Sequence, residues 1–185
     1  MTDIMKLAKE ANDYFFSGEY KKALSIYYKI LSYNLDDSNN YYNIALTYEV
    51  LQEYELAVSY YKKSIRINNN IRSINNLARI YIEVIKDCNI AKEYLDFAIK
   101  MAPNDAEAYN IYSNICMLEN DYKMAETYLK KSIFLDENFF KNYYDISLVY
   151  LAMDNKEKAI EMVKKSISLN DNFPPAKELL QKLES

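Results

Sequence analysis

Apolar and polar residues alternate along this chain with the period of amphipathic helices, and the helical pattern itself recurs at a constant spacing. Each recurrence carries an alanine, and a large apolar residue follows it four positions later. Residues four apart lie on the same face of a helix, so each pair predicts a packed helical face. A fixed period of about 34 residues predicts a stack of helical repeats. The alanines are Ala23, Ala57, Ala91, Ala125 and Ala159, and the residues four later are Tyr27, Tyr61, Leu95, Leu129 and Val163.

The period divides the chain into five predicted repeats of two helices each, followed by one further helix. The repeats cover about residues 4–37, 38–71, 72–105, 106–139 and 140–173. The further helix, about residues 174–184, carries apolar residues on one side only. A one-sided helix at the end of a stack is expected to cap the last repeat. We therefore predict a single domain over residues 1–185.

The third predicted repeat is irregular. Tyr81 follows its counterpart Tyr48 one residue sooner than the period requires, whereas Ala91 keeps the period. One residue is therefore lost before the first helix and regained within the repeat. We expect the turn around residues 85–89 to absorb it.

Composition narrows the classes of function. One glycine and three prolines leave few helix breakers, and 20 tyrosines without tryptophan supply the bulky packing residues. A formal net charge of −4 argues against nucleic acid as the main partner. Cys88 and Cys116 match no metal-binding spacing, and Cys116 lies at a core position, which predicts a reduced, buried thiol. No cofactor and no metal site are predicted.

The N-terminal stretch is charged and amphipathic, without the apolar segment of a signal peptide, and the sequence has no apolar run of about 18 residues. We expect a soluble cytoplasmic protein with no membrane association.

These positions carry a family resemblance. The pattern of a large residue at position 4, leucine at 7, a small residue at 8, tyrosine at 11, alanine at 20, an aromatic at 24 and a small residue at 27 is similar to the tetratricopeptide repeat. The fourth repeat, AEAYNIYSNICMLENDYKMAETYLKKSIFLDEN, follows it almost throughout. The resemblance covers about residues 4–173. It implies an all-α fold, a right-handed α-solenoid of helix-turn-helix units.

The same resemblance implies that the first helix of each repeat lines an inner groove that binds other proteins. The residues at its groove positions are rich in asparagine, whose amide donates and accepts hydrogen bonds and can pair with the backbone of an extended peptide. Two arginines nearby are expected to hold a carboxylate. The candidate peptide-binding residues are Asn12, Tyr42, Asn43, Arg72, Asn76, Arg79, Asn110 and Asn114.

Two alternatives remain for the interaction. The first is a co-chaperone-like clamp for acidic C-termini: Asn12 and Asn43 match its pattern and Arg72 can replace its lysine, but Ala8 and Asn76 stand where further cations are required. The second is a structural role through self-association, with Phe139, Phe140 and Phe173 as exposed candidates. Asparagine is also frequent in the predicted turns, so biased composition competes with a binding role.

No enzyme is predicted. The chain has no histidine, and one glycine cannot build a phosphate-binding loop. The partner that we expect is a protein or a peptide.

Overall fold

The computed structural model describes residues 2–33 and 37–184. Within these residues the chain forms helices throughout, connected by short turns. Their bounds are α1 Thr2–Phe16, α2 Tyr20–Tyr33, α3 Ser38–Val50, α4 Tyr54–Asn68, α5 Ile71–Ile80 followed by a π-helical turn Tyr81–Ile85, α6 Cys88–Met101, α7 Ala106–Leu118, α8 Tyr122–Leu135, α9 Phe140–Ala152, α10 Lys156–Leu169 and α11 Pro174–Glu184.

The predicted alanine positions are the points of closest packing. All five alanines are fully buried, and the five large residues that follow them are at most 2% exposed. A methyl group at this position lets two helices approach closely. Accordingly α1 packs on α2, α3 on α4, α7 on α8 and α9 on α10. The predicted α-solenoid of helix-turn-helix repeats is confirmed.

The turns inside the repeats share one backbone conformation. Gly18, Gln52, Lys86, Asn120 and Asp154 all have φ between 57° and 80°, and successive members are one repeat period apart. After this residue the chain donates a hydrogen bond back to the helix, as from the Glu53 N–H to the Tyr48 carbonyl over 2.9 Å. This left-handed residue ends the first helix of each repeat. Four of the five are not glycine, although a side chain disfavours this backbone conformation.

The extra residue of the third repeat lies in a helix and not in the predicted turn. The end of its first helix widens into the π-helical turn Tyr81–Ile85. The Asp87 N–H therefore reaches back six residues to the Tyr81 carbonyl (2.9 Å), where the other repeats reach back five. The expectation that the turn around residues 85–89 absorbs the insertion is wrong. A π-helical turn keeps Tyr81 and Ile82 buried while it accommodates one more residue.

Buried serines tie the two helices of three repeats together. Ser64, Ser132 and Ser166 are fully buried, and each hydroxyl donates to the carbonyl of the first residue of the preceding helix. The acceptors are Ser38, Ala106 and Phe140, at 2.7, 2.6 and 2.9 Å. The small residue predicted at this position therefore also makes a specific bond.

The chain divides into two compact bodies, Met1–Tyr94 and Leu95–Ser185. The first has a core around Ala11, Ala23, Tyr27, Ile30 and Ile44. In the second, a core cluster contains Ala125, Leu129, Ile146, Val149 and Ala159, and Cys116 is buried there as predicted. The description of the chain as one solenoid domain stays a prediction.

At the end of the second body, α11 packs on α10 with Ala176 buried, while Lys177, Gln181 and Lys182 face solvent. The phenylalanines predicted as exposed lie next to it. Phe139, Phe140 and Phe173 are half-buried, and the rings of Phe140 and Phe173 meet edge to face at 5.0 Å. The expectation of exposure is wrong, because these rings fill the space between α9 and the start of α11.

Candidate functional site

Four of the predicted peptide-binding residues meet at one opening of the first body. The opening has a volume of about 290 Å³ and receives side chains from α1, α2, α3 and α5. We call it the α1–α3 opening. Its lining residues are Asn12, Phe15, Phe16, Tyr27, Tyr42, Asn43, Leu46 and Arg72.

Arg72 places a positive charge at this opening. Its guanidinium lies over the ring of Tyr42, 4.5 Å from the ring centre, and one of its nitrogens donates to the side-chain oxygen of Asn39 over 3.3 Å. The aromatic face and the amide hold the exposed cation in place. Tyr42 therefore lines the opening and also supports Arg72.

Asn12 is oriented by a buried tyrosine. The hydroxyl of Tyr27 donates to the side-chain oxygen of Asn12 over 2.8 Å. Burial raises the pKa of Tyr27 to about 12, so its hydroxyl stays protonated and can donate well into the alkaline range. Among the described residues the amide nitrogen of Asn12 makes no hydrogen bond, which leaves this donor for a ligand.

The side-chain amide of Asn43 is available to a ligand. Asn43 is half-buried, and within residues 2–33 and 37–184 its side chain makes no hydrogen bond to the protein. Only its backbone carbonyl is used by a neighbouring side chain, accepting from the Thr47 hydroxyl over 2.7 Å. Both the donor and the acceptor of the Asn43 amide are therefore free for a bound segment.

Asn76 and Arg79 instead belong to an internal network. Asn76 is 5% exposed; its amide nitrogen donates to the Tyr61 hydroxyl over 2.8 Å and its oxygen accepts from Arg79 over 2.8 Å. The Tyr61 hydroxyl donates to Glu49 over 2.6 Å. Burial, and then the charge of Glu49, raise the pKa of Tyr61. Both polar groups of Asn76 already have protein partners.

Asn110 and Asn114 lie in the second body and have different surroundings. Asn110 is buried, and its amide nitrogen donates to Asn142 over 3.0 Å and to the Asp145 carboxylate over 2.7 Å. Asn114 is half-buried and lines an opening of about 310 Å³ between α7 and α9. We call it the α7–α9 opening. Its lining residues are Ser113, Asn114, Met117, Leu118, Leu129, Asp145 and Leu148.

Asp145 is a polar residue of the site that sequence reasoning did not select. Burial raises the pKa of its carboxyl, against the opposing effects of the Asn110 hydrogen bond and the Lys141 charge. It occupies the same repeat position as Asn43 and Asn76, and this shared position was the available signal.

The described part of the chain shows two further facts that bear on function. None of its helices combines the length and the apolar character that a membrane crossing demands. Nowhere in residues 2–33 and 37–184 do three acidic, cysteine or histidine side chains come together in a group that could bind a metal ion.

Family comparisons match both parts of the chain. Residues 106–139 and 140–173 each match the tetratricopeptide repeat, with the bounds of the fourth and fifth predicted repeats. Residues 9–96 match a domain of unknown function, DUF6340. No curated protein sequence matches the chain significantly. The count of five repeats stays a prediction, since the repeat model covers two.

Solved structures share the fold. YrrB, described as a TPR protein with an unusual peptide-binding site, is 23% identical, with a TM-score of 0.63 over 95% of this chain and 90% of its own. The Thermus thermophilus TPR protein TTC0263 is 17% identical, with a TM-score of 0.78 over 97% and 98% of the two chains. PilW, a type IV pilus biogenesis factor, is 16% identical, with a TM-score of 0.81 over 94% of this chain and 80% of its own.

Proposed function

Since the chain is a tetratricopeptide repeat protein, we propose that it is a protein-interaction scaffold that binds an extended peptide or a partner helix at the α1–α3 opening. The family match and the fold support an interaction scaffold in general. No catalytic role is assigned. The particular opening and residues are the proposal.

One observation carries the choice of this opening. Asn12, Tyr42, Asn43 and Arg72 come from three different helices and line the same concave surface. Counted over the described part of the chain, their side chains supply the amide nitrogen of Asn12 and the whole amide of Asn43 without protein partners, and the fixed cation of Arg72 beside aromatic walls. Ligand sites typically combine an apolar lining with a few such directed polar groups.

The polar groups suit a peptide backbone. The amide of Asn43 can donate to a peptide carbonyl and accept from a peptide N–H at the same time. Asn12 adds a second donor, while Phe15, Phe16 and Leu46 offer apolar contact to a ligand side chain. These groups would contact the backbone of a bound peptide more than its side chains. We therefore expect the affinity to come from many modest contacts. YrrB, described as a TPR protein with an unusual peptide-binding site, has a similar fold.

The second candidate function is recognition of an acidic C-terminus. It is favoured by the position of Arg72, which brings a cation beside Asn12 and Asn43 at one opening. A guanidinium binds a carboxylate by charge-assisted hydrogen bonds. Ala8 and Asn76 supply no further charge, and Arg79 already pairs with Glu49 at 3.5 Å. One carboxylate is therefore neutralised, but a run of acidic residues is not.

The test uses random dodecapeptides, displayed with either a free or a blocked C-terminus and selected on the wild-type protein. The affinity of a selected peptide is then measured by fluorescence anisotropy for wild type, Asn43→Ala, Arg72→Gln and the control Asn68→Ala. Asn68 is an exposed asparagine at the end of α4 that lines neither opening.

We expect Asn43→Ala to weaken the peptide about tenfold through the loss of a buried backbone pairing, while Asn68→Ala has no effect. If only peptides with a free C-terminus are selected, and Arg72→Gln also lowers their affinity, the second candidate function is supported. Equal affinities of wild type and Asn43→Ala would overturn the assignment of the α1–α3 opening. Self-association stays a separate prediction, measured by light scattering over a range of concentrations.

A further inference from the structure

We propose that the α7–α9 opening binds the basic side chain of a partner protein, a lysine or an arginine, against the carboxylate of Asp145. The proposal rests on the proposed function only in that a bound protein segment supplies this side chain. It adds a chemical class of ligand at a second place, with residues other than those of the α1–α3 opening.

One of the two oxygens of the Asp145 carboxylate accepts a hydrogen bond from the protein. Its Oδ2 accepts from the amide nitrogen of Asn110 over 2.7 Å. Among the described residues, Oδ1 receives no hydrogen bond and no lysine or arginine nitrogen lies within 4 Å of the group. One oxygen with its share of the negative charge is thus left for a ligand.

A buried amide chain keeps this carboxylate in place. The amide nitrogen of Asn110 donates one hydrogen bond to Asp145 and a second to the side-chain oxygen of Asn142, 3.0 Å away. Asn110 is 9% exposed and Asn142 is fully buried, so packing restricts both amides. Asp145 therefore presents Oδ1 from a fixed position, which lowers the entropy lost when a ligand binds.

The other walls fit a cation on an alkyl stem. Met117, Leu118 and Leu148 line the opening, and Leu118 is 62% exposed, which leaves apolar surface for methylene groups. Asn114, which is half-buried, adds a neutral amide oxygen to the lining. A lysine ammonium has three donors and no acceptor, and a guanidinium has five donors, so either suits a site that offers oxygens.

The surrounding charges favour a cation from outside the chain. Lys141, one turn earlier on α9, is exposed; its charge acts on Asp145 at a distance and makes no ion pair with it. Burial raises the pKa of the Asp145 carboxyl despite Lys141 and Asn110, so the charge is not fully compensated internally. A bound ammonium or guanidinium would compensate it.

The test uses the full chain and blocked pentapeptides that differ only in the central residue: lysine, arginine, norleucine or glutamate. Binding is followed by the NMR shift of the Asn110 side-chain amide in wild type, Asp145→Asn, Asn114→Ala and the control Asp171→Asn, an exposed aspartate outside the opening. In every protein except Asn114→Ala, the Asn114 side-chain amide is followed as well. A fifth ligand, 1,5-diaminopentane, tests whether a free diamine is preferred.

We expect the lysine or arginine peptide to shift these amides and to bind about tenfold more weakly to Asp145→Asn, the effect of one charge-assisted bond. Norleucine has a similar stem without a charge. The norleucine peptide should therefore bind the wild-type protein as weakly as the basic peptides bind Asp145→Asn. Basic and norleucine peptides of equal affinity, or unchanged affinity in Asp145→Asn, would overturn the proposal. Tighter binding of the diamine would overturn its assignment to a protein side chain.

The folded state of each variant is checked by its thermal transition, and Asn114→Ala provides a second readout if Asp145→Asn does not fold. A weaker basic peptide in Asn114→Ala supports the site, and unchanged affinity there counts against it. The result is separable from the proposed function, because Asn43→Ala should leave these peptides unaffected. If Asn43→Ala did not weaken the selected dodecapeptides but Asp145→Asn still weakened the basic pentapeptides, only the assignment of the α1–α3 opening would be rejected.

Discussion

The amide nitrogen of Asn76 lies 2.8 Å from the hydroxyl of Tyr61 and donates a hydrogen bond to it inside the first body. Asn43, one repeat earlier at the equivalent position, makes no such bond among the described residues. The two asparagines were predicted to have the same role. Their surroundings instead give Asn76 a role in stability and leave Asn43 for binding.

Replacing these two asparagines should therefore change the stability of the protein by different amounts. Asn76→Ala removes one buried and one partly buried hydrogen bond and leaves the Tyr61 hydroxyl and Arg79 each with one partner fewer, so we expect a loss of about 2 kcal/mol in unfolding free energy. Asn43→Ala should change it by less than about 0.5 kcal/mol. Urea unfolding followed by circular dichroism measures both. Equal losses would contradict the difference in surroundings.

The buried serines give a second prediction. In Ser132→Ala the hydroxyl bond to the Ala106 carbonyl is lost, whereas that carbonyl keeps its place at the start of α7. We expect a loss of about 1 kcal/mol, the usual net value of one such bond. The chain contains a natural counterpart, since the third repeat has Ala98 at this position, fully buried.

The control for this prediction is Ser168→Ala. Ser168 is exposed and donates to the Lys165 carbonyl of its own helix over 2.7 Å. Its replacement should change the unfolding free energy by less than about 0.5 kcal/mol. If both serine variants were equally stable in urea, the tie between α7 and α8 would have no measurable value.

The sequence was sufficient to predict the fold because packing follows the repeat period. Ala125 and Leu129 recur with their counterparts at a fixed spacing, and each is fully buried. Helix periodicity cannot show where an inserted residue goes, because a π-helical turn and a longer loop preserve the same burial pattern. That is why Tyr81–Ile85 was not predicted.

The candidate site could be predicted only in part. The repeat position places Asn12, Asn43 and Arg72 on one surface, and the structure brings them to one opening. Position does not show which amides find partners within the protein. The partners of Asn76 and Asn110, namely Tyr61 and Asp145, belong to other helices and depend on tertiary packing.

The π-helical turn gives a third prediction. Deleting Val84 shortens the distance from Tyr81 to Lys86 from five residues to four, the value found from Tyr48 to Gln52. We expect an ordinary α-helical ending and a change in unfolding free energy of less than about 1 kcal/mol, because Val84 is exposed and Tyr81 and Ile82 keep their places.

Deleting Val50 is the matched control. It is also exposed, and it also lies two residues before a left-handed residue, Gln52. Its repeat has no extra residue, so the deletion breaks the hydrogen bond from the Glu53 N–H to the Tyr48 carbonyl and should cost about 2 kcal/mol or more. Helix content by circular dichroism and urea midpoints compare the two deletions. Similar losses would show that the π-helical turn is required for folding.

Tyr27 gives a prediction for alkaline pH. Burial raises its pKa in the folded protein to about 12, and the unfolded value is about 10. Between these values the unfolded chain releases the proton while the folded chain keeps it, so the contribution of Tyr27 to stability is complete below pH 10 and declines as pH rises towards 12. Tyr27→Phe has no proton to lose at this position.

The difference in unfolding free energy between wild type and Tyr27→Phe should therefore be constant from pH 7 to 9 and change above about pH 10 in favour of the variant. Comparing the two proteins at each pH cancels the titration of all the other tyrosines, which both proteins share. Urea unfolding at pH steps between 7 and 11 provides the measurement. A difference that stays constant at every pH would mean that Tyr27 ionises equally in both states, and its bond to Asn12 would then not depend on burial.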